Sequence, residues 1–261
     1  MKLRVIRDTV FKQAPVQASD LPENEKVEVE AGKVFEVHSY KEISNHIRVA
    51  IDNAFLKGRN TWVAYQPHIE IIGDDGVKLI GKFTKNDRLP KQVRLPIPYF
   101  SQLNNRYSPH GTCNVTCVAM CLYYYGVRPA RRNKQLEDEL FELVERKGWD
   151  RHVHDHLRRV FLDYDIYDSF KTDATWDEVK IHLANGNPVI YSGQFTRSGH
   201  IIVLRGYNEQ GFFVNDPYGE YFDSGYRRDL TGENLLYSYS LVNAKSYGGA
   251  NTWAHFPERK D

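Results

Sequence analysis

The spacing of apolar positions changes character near residue 95. Before it, short runs alternate apolar and polar side chains and favour Val, Ile, Phe, Tyr and Thr, residues that suit a half-buried pleated surface. These runs predict strands at Lys2–Ile6, Lys26–Val29, Lys33–Ser39, His46–Ile51, Thr61–Tyr65 and His68–Ile72. Turn residues separate them, at Asp20 to Pro22, Ala31-Gly32, Lys57-Gly58 and Gly73 to Gly76. Several short strands at this spacing suggest a small antiparallel SH3-like barrel, with a β extension of the following domain as the alternative. Residues Lys82 to Arg94 are polar, basic and interrupted by Pro90, and read as a linker. The chain thus divides into a β module at 1–81, a linker at 82–94 and a second domain at 95–261.

Beyond the linker the period lengthens to that of a helix. Val115, Val118, Ala119 and Leu122 share one face of a helix over Asn114–Tyr125, stopped by Gly126. Leu136, Leu140, Leu143 and Val144 do the same over Lys134–Lys147, and Val153, Leu157, Val160 and Phe161 over His152–Asp163. Thr175 and Glu178 form a capping-box pattern that opens a helix through Leu183, closed by Gly186 and Pro188. Strands are then predicted at Val189–Phe195, His200–Tyr207, Phe212–Asn215, Leu235–Leu241 and Thr252–Phe256. Helices first and strands afterwards make an α+β domain rather than a βαβ repeat.

Composition narrows the class. Of the 261 residues, 41% are hydrophobic and 26% charged, enough apolar surface for a core and too much for a disordered chain. Thirty-five Lys and Arg against 34 Asp and Glu leave a net charge of +1, so no nucleic-acid partner is expected. Three cysteines are too few, and odd in number, for a disulfide scaffold. The apolar run Ile201–Leu204 is far too short to span a membrane, and charges at Lys2, Arg4, Arg7 and Asp8 interrupt any signal peptide. The expectation is a protein that is cytoplasmic as synthesised, acting on a cell wall only after release.

Four positions carry candidate chemistry. Cys113 stands at a helix start, where unsatisfied amides and the helix dipole favour a thiolate; the competing reading is a small buried hydrophobe. His200 opens a strand that continues as Ile201-Ile202-Val203-Leu204, a rigid seat for a general base or for a histidine bonded to an edge carbonyl. Asp216 or Asn215, at the end of the next strand, can fix an imidazole tautomer. Gln102, eleven positions before Cys113, offers an amide to an oxyanion.

Other groups invite weaker readings. Cys117 and Cys121 follow at helical spacing and fit core packing. His152, His154 and His156 resemble metal ligands, but Val153 stands where a zinc peptidase has its glutamate, and a solvated basic face explains them more simply. Tyr218, Tyr221 and Tyr226 fit a helix–sheet seam or a substrate groove.

In their order Gln102, Cys113, His200, Asp216, with the local runs Ser101–Asn105, Thr112–Thr116, Gly199–Ile201 and Asn215–Gly219, the residues from about Leu95 to Phe256 resemble papain-like cysteine peptidases of the bacteriocin-processing, double-glycine leader type, in their stand-alone bacterial and phage branch. The resemblance implies a helical lobe bearing the nucleophile and a β lobe bearing His and Asp. It implies Cys113 as nucleophile, His200 as base, Asp216 as orienter and Gln102 as oxyanion donor, with no cofactor. Two features differ from that pattern: the longer loop Asn104–Gly111, and Asn114-Val115 where Gly-Pro often follows the nucleophile. The implied activity is hydrolysis of peptide bonds in a protein, a leader peptide or a peptidoglycan peptide. An amidase or transpeptidase using the same triad, or a non-catalytic binding protein, are the alternatives.

Overall fold

The computed structural model describes residues 1–52, 54–247 and 252–259. The chain forms two compact units, Met1–Pro90 and Lys91–Asp261.

In the first unit, eight strands follow one another: β1 (Lys2–Val5), β2 (Thr9–Lys12), β3 (Lys26–Val29), β4 (Val34–Ile43), β5 (His46–Ile51), β6 (Thr61–Tyr65), β7 (Ile69–Ile72) and β8 (Lys78–Ile80). They pair in the order β3-β2-β6-β5-β4-β1-β7-β8, every pairing antiparallel. Alternation places Leu3, Val5, Ile47, Val49, Trp62, Ile69 and Ile71 in one core. Two of these strands escape the sequence pattern because a lysine occupies a buried position. Lys12 is buried in β2, and Lys78 in β8 is buried between Glu70 (2.6 Å) and Asp87 (3.1 Å). Neither end of the expected linker is free chain. Asp87 closes on Lys78, and Val93–Arg94 forms a strand in the second unit.

The second unit runs β9 (Val93–Arg94), α1 (Cys113–Tyr124), α2 (Leu136–Arg146), α3 (His154–Leu162), β10 (Ile166–Ala174), α4 (Trp176–Ala184), β11 (Val189–Gly193), β12 (His200–Tyr207), β13 (Gly211–Asn215), β14 (Glu220–Phe222), β15 (Gly225–Arg227), β16 (Leu235–Ser238), α5 (Tyr239–Ala244) and β17 (Thr252–Arg259). Its main sheet has the order β10-β17-β11-β12-β13-β16, with β9 added against β12; β14 and β15 form a separate hairpin. The unit is α+β, with antiparallel pairing throughout.

The order of elements differs from the expected segregation in two places. Strand β10 lies between α3 and α4; its buried inward position is Asp168, which conceals the apolar alternation. The segment expected as a strand over Leu235–Leu241 leaves the sheet at Ser238, whose Oγ accepts the Leu241 amide (3.2 Å) and caps α5.

Helix α1 and strand β12 form the centre of this unit. Residues Asn114 to Leu122 are all buried, and so is every residue of β12. A helix surrounded on all sides is held by packing rather than by one apolar stripe. The Cys117 thiol donates to the Ile201 carbonyl (3.2 Å), tying the second turn of α1 to the start of β12. That contact sets the register of the two first residues, Cys113 on the helix and His200 on the strand. No described helix is long and apolar enough to cross a membrane.

Candidate active site

Cys113 opens α1, so its backbone amide has no intrahelical carbonyl to bind. Gly199, at φ 85°, delivers the chain into β12 just before His200; a side chain there would collide with the Tyr247 hydroxyl. His200 is 4% exposed, and its Nε2 donates to Asp216 Oδ1 over 2.8 Å. The thiol of Cys113 and the imidazole line the same cavity, near enough for each to shift the other's proton affinity. With Nε2 held by the carboxylate, Nδ1 is the nitrogen left for sulfur.

Electrostatics follow from that arrangement. Burial pushes the Cys113 thiol up, but the adjacent His200 charge and hydrogen bond outweigh it and leave the thiol lowered. Burial would likewise push His200 down, whereas Asp216, followed by Cys113, raises it above its ordinary value. Both directions favour a thiolate beside an imidazolium. Cys117 and Cys121 differ: burial raises each thiol well above the normal range, and both pack in the core.

Asp216 is 0% exposed and fully engaged. Oδ1 accepts from His200 and from the Tyr218 amide (3.0 Å); Oδ2 accepts from the hydroxyls of Tyr226 (2.9 Å) and Tyr237 (3.0 Å). Burial, then the Asp216 charge, raises both phenols, keeping them neutral donors. Gly232 permits the strap over this carboxylate: its carbonyl accepts the Asp216 amide at 2.8 Å, and a Cβ on Gly232 would lie 1.8 Å from the Asp216 oxygen. Asn215, the other expected orienter, points elsewhere. Its amide donates to the Ile97 (3.2 Å) and Pro98 (3.0 Å) carbonyls, and its Oδ1 accepts from Arg205 (3.2 Å).

Gln102 is buried on a short turn tied to the Asp216 loop by its own amide, which donates to the Pro217 carbonyl (2.9 Å). Its side-chain Nε2 donates to the Pro109 carbonyl (2.9 Å), leaving a second N–H on the same nitrogen. Gln102, Cys113 and His200 line one cavity of about 440 Å³. The long loop Asn104–Gly111 contributes His110 and Gly111 to its wall, and Tyr218 closes another side.

Two groups at this cavity were not anticipated. Arg151 faces it from the turn before α3. His154, first residue of α3, also lines it and ends a buried chain: Asp168 Oδ2 accepts from His255 Nδ1 (2.7 Å), and His255 Nε2 lies 2.9 Å from His154 Nδ1. Burial, then His255, holds His154 down to about 4, so its ring is neutral. Of the residues read as possible metal ligands, His154 is thus committed to His255, and His156 Nδ1 accepts the Asp150 amide (2.9 Å). Tyr226 was singled out in the sequence only as one of a cluster of tyrosines and Tyr237 not at all, because the β14–β15 hairpin that presents Tyr226 has no sequence pattern of its own.

No curated protein matches the chain. Two solved structures are similar to it. One is a double glycine motif protease from an AMS/PCAT transporter, in complex with the leader peptide, with 14% identity over 64% of this chain and 95% of that one and a TM-score of 0.42. The other, from Bacillus anthracis and described as a C39-like peptidase, has 14% identity over 66% of this chain and 100% of that one and a TM-score of 0.43. The Peptidase_C39 like family model matches residues 94–246, more than half of the chain and the stretch that holds Gln102, Cys113, His200 and Asp216. The protein belongs to that family and is a cysteine peptidase.

Proposed function

We propose that Cys113, His200 and Asp216 form the catalytic triad of an endopeptidase, with Gln102 and the Cys113 amide as oxyanion donors. The observation that carries this reading is a cysteine at a helix start sharing one cavity with an imidazole whose Nε2 is fixed on a buried carboxylate, and that imidazole holds the thiol below its usual range. The Cys113 thiolate attacks the scissile carbonyl carbon, and the oxyanion forms against the free N–H of Gln102 and the Cys113 amide. The C–N bond breaks as the His200 imidazolium gives its Nδ1 proton to the departing amine, leaving a thioester on Cys113. His200, now neutral, takes a proton from water; the resulting hydroxide attacks the thioester, releasing the carboxylic acid and restoring thiolate and imidazolium. Asp216 holds the ring orientation throughout.

A peptide is the substrate this cavity fits. The first unit, Met1–Pro90, carries none of these groups and is read as a docking module. The test is mass spectrometry of digests of a peptide library and of purified peptidoglycan by wild type and by Cys113→Ala. New amine termini with wild type and none with the variant are expected; equal digestion by both would end the reading.

A further inference from the structure

The wall of the cavity beside Cys113 carries the guanidinium of Arg151 and no carboxylate among the described residues. Among the described residues that line it are Arg151, His110, His152, His154 and His200, and no Asp or Glu. The arginine is built into the nucleophile's own surroundings. Its Nε donates to the Gly111 carbonyl (3.3 Å), two residues before Cys113, and its carbonyl accepts from Asn114 Nδ2 (2.9 Å), one residue after. Its guanidinium lies 5.1 Å from the centre of the Phe141 ring, which shields one face. Two contacts therefore hold an otherwise flexible side chain and a third holds its backbone, on the cavity wall that Cys113 also lines.

Arg131 pairs with Glu142, Arg158 and Arg159 with Asp155, and Arg227 with Asp229, whereas Arg151 has no ion pair among the described residues. Only Nε is committed to a carbonyl; the terminal nitrogens keep their donors. A half-buried guanidinium without a counter-ion is costly unless something brings one, and its planar fork is matched by a carboxylate.

We propose that Arg151 is a specificity-determining residue that receives a carboxylate of the peptide substrate close to the scissile bond. This rests on Cys113 being the nucleophile, and it names the chemistry of what is cleaved: a peptide bearing an acidic side chain or a free C-terminus at that distance. The neighbouring imidazoles of His110 and His152 add donors on the same wall and no competing negative charge.

The test uses the full chain and randomised decapeptides in two pools, one ending in a free carboxylate and one in a carboxamide. Each pool contains Asp with Asn, and Glu with Gln, at every position, and products are quantified by mass spectrometry. Wild type is expected to favour carboxylate over its amide counterpart by at least about tenfold in one arm, as suits a charge-assisted pair. The acid–amide comparison reports a C-terminus; the Asp–Asn and Glu–Gln comparisons report a side chain. Arg151→Gln should bring the ratio to within about twofold of unity, and Arg151→Lys should keep part of it. A wild type with no preference in either arm, or a preference that survives Arg151→Gln, overturns the proposal. Cleavage that survives Cys113→Ala would instead overturn the nucleophile assignment, a failure read separately from the ratio.

Discussion

The second unit contains two buried histidine–carboxylate pairs of nearly equal length, His200–Asp216 at 2.8 Å and His255–Asp168 at 2.7 Å. Both imidazoles and both carboxylates are almost wholly removed from solvent. The difference lies in what each imidazole meets on its other side. His200 meets a thiol at a helix start, whereas His255 meets the neutral ring of His154. The carboxylates differ too. Asp216 satisfies both oxygens with a backbone amide and two tyrosine hydroxyls besides the histidine; Asp168 Oδ1 has no hydrogen-bond partner among the described residues. A His–Asp pair alone therefore marks no chemistry. A nucleophile within reach and a carboxylate held from several directions distinguish the pair that can work as a base.

Substitutions should separate the two pairs, beginning with the largest effect. Cys113→Ala should lower kcat/KM on any cleaved peptide by on the order of 10⁴-fold or more, since the acyl acceptor is gone. Asp216→Asn should cost between about 10²- and 10⁴-fold, because the ring can then settle in the wrong tautomer. It should also change the pH profile. In wild type the acid limb lies below the ordinary thiol range, since His200 holds Cys113 down, and the alkaline limb lies above the ordinary histidine range, since Asp216 holds His200 up. Activity persists between the limbs, is lost as pH falls through the thiol and is lost again as it rises through the imidazolium. Removing the Asp216 charge should move the alkaline limb down; an unmoved limb would show that the carboxylate does not set it.

Gln102→Ala should lower kcat by about 10²- to 10³-fold, with KM little changed, as loss of one oxyanion donor does. The other pair should behave oppositely. His255→Ala should leave turnover within about threefold of wild type while costing about 3–5 kcal/mol of stability, because it strands the Asp168 carboxylate in the core. Urea unfolding monitored by fluorescence checks the stability, and initial rates check the turnover. A large kinetic loss with unchanged stability would mean that the two pairs are not divided as described.

The same contrast explains what was readable from the chain. Cys113, His200 and Asp216 stand out in the sequence because each sits where an apolar pattern starts or ends: the first residue of α1, the first of β12 and the residue just after β13. Position alone left Asp216 and Asn215 open and only the resemblance singled out Asp216; in the structure Asn215 turns toward Ile97 and Pro98. Strands β2, β8 and β10 were hidden for one shared reason. Lys78 and Asp168 occupy buried positions where the alternation requires an apolar residue, and Lys12, buried directly after Phe11, interrupts it; their partners lie far along the chain or across turns. His255 and Arg151 were missed for a related reason: their significance comes from partners on other elements, not from spacing. Patterns report periodicity, and a buried charged or polar side chain breaks it.

The central claim concerns the state of one sulfur, and the rate of alkylation reads it directly. Iodoacetamide labelling of each cysteine, followed by mass spectrometry from pH 4 to 10, should be run on wild type and on His200→Ala. Cys113 is predicted to react far ahead of Cys117 and Cys121, with a midpoint below that of an ordinary thiol that rises when His200 is removed. Equal labelling of the three cysteines, or a Cys113 midpoint indifferent to His200, would contradict the account.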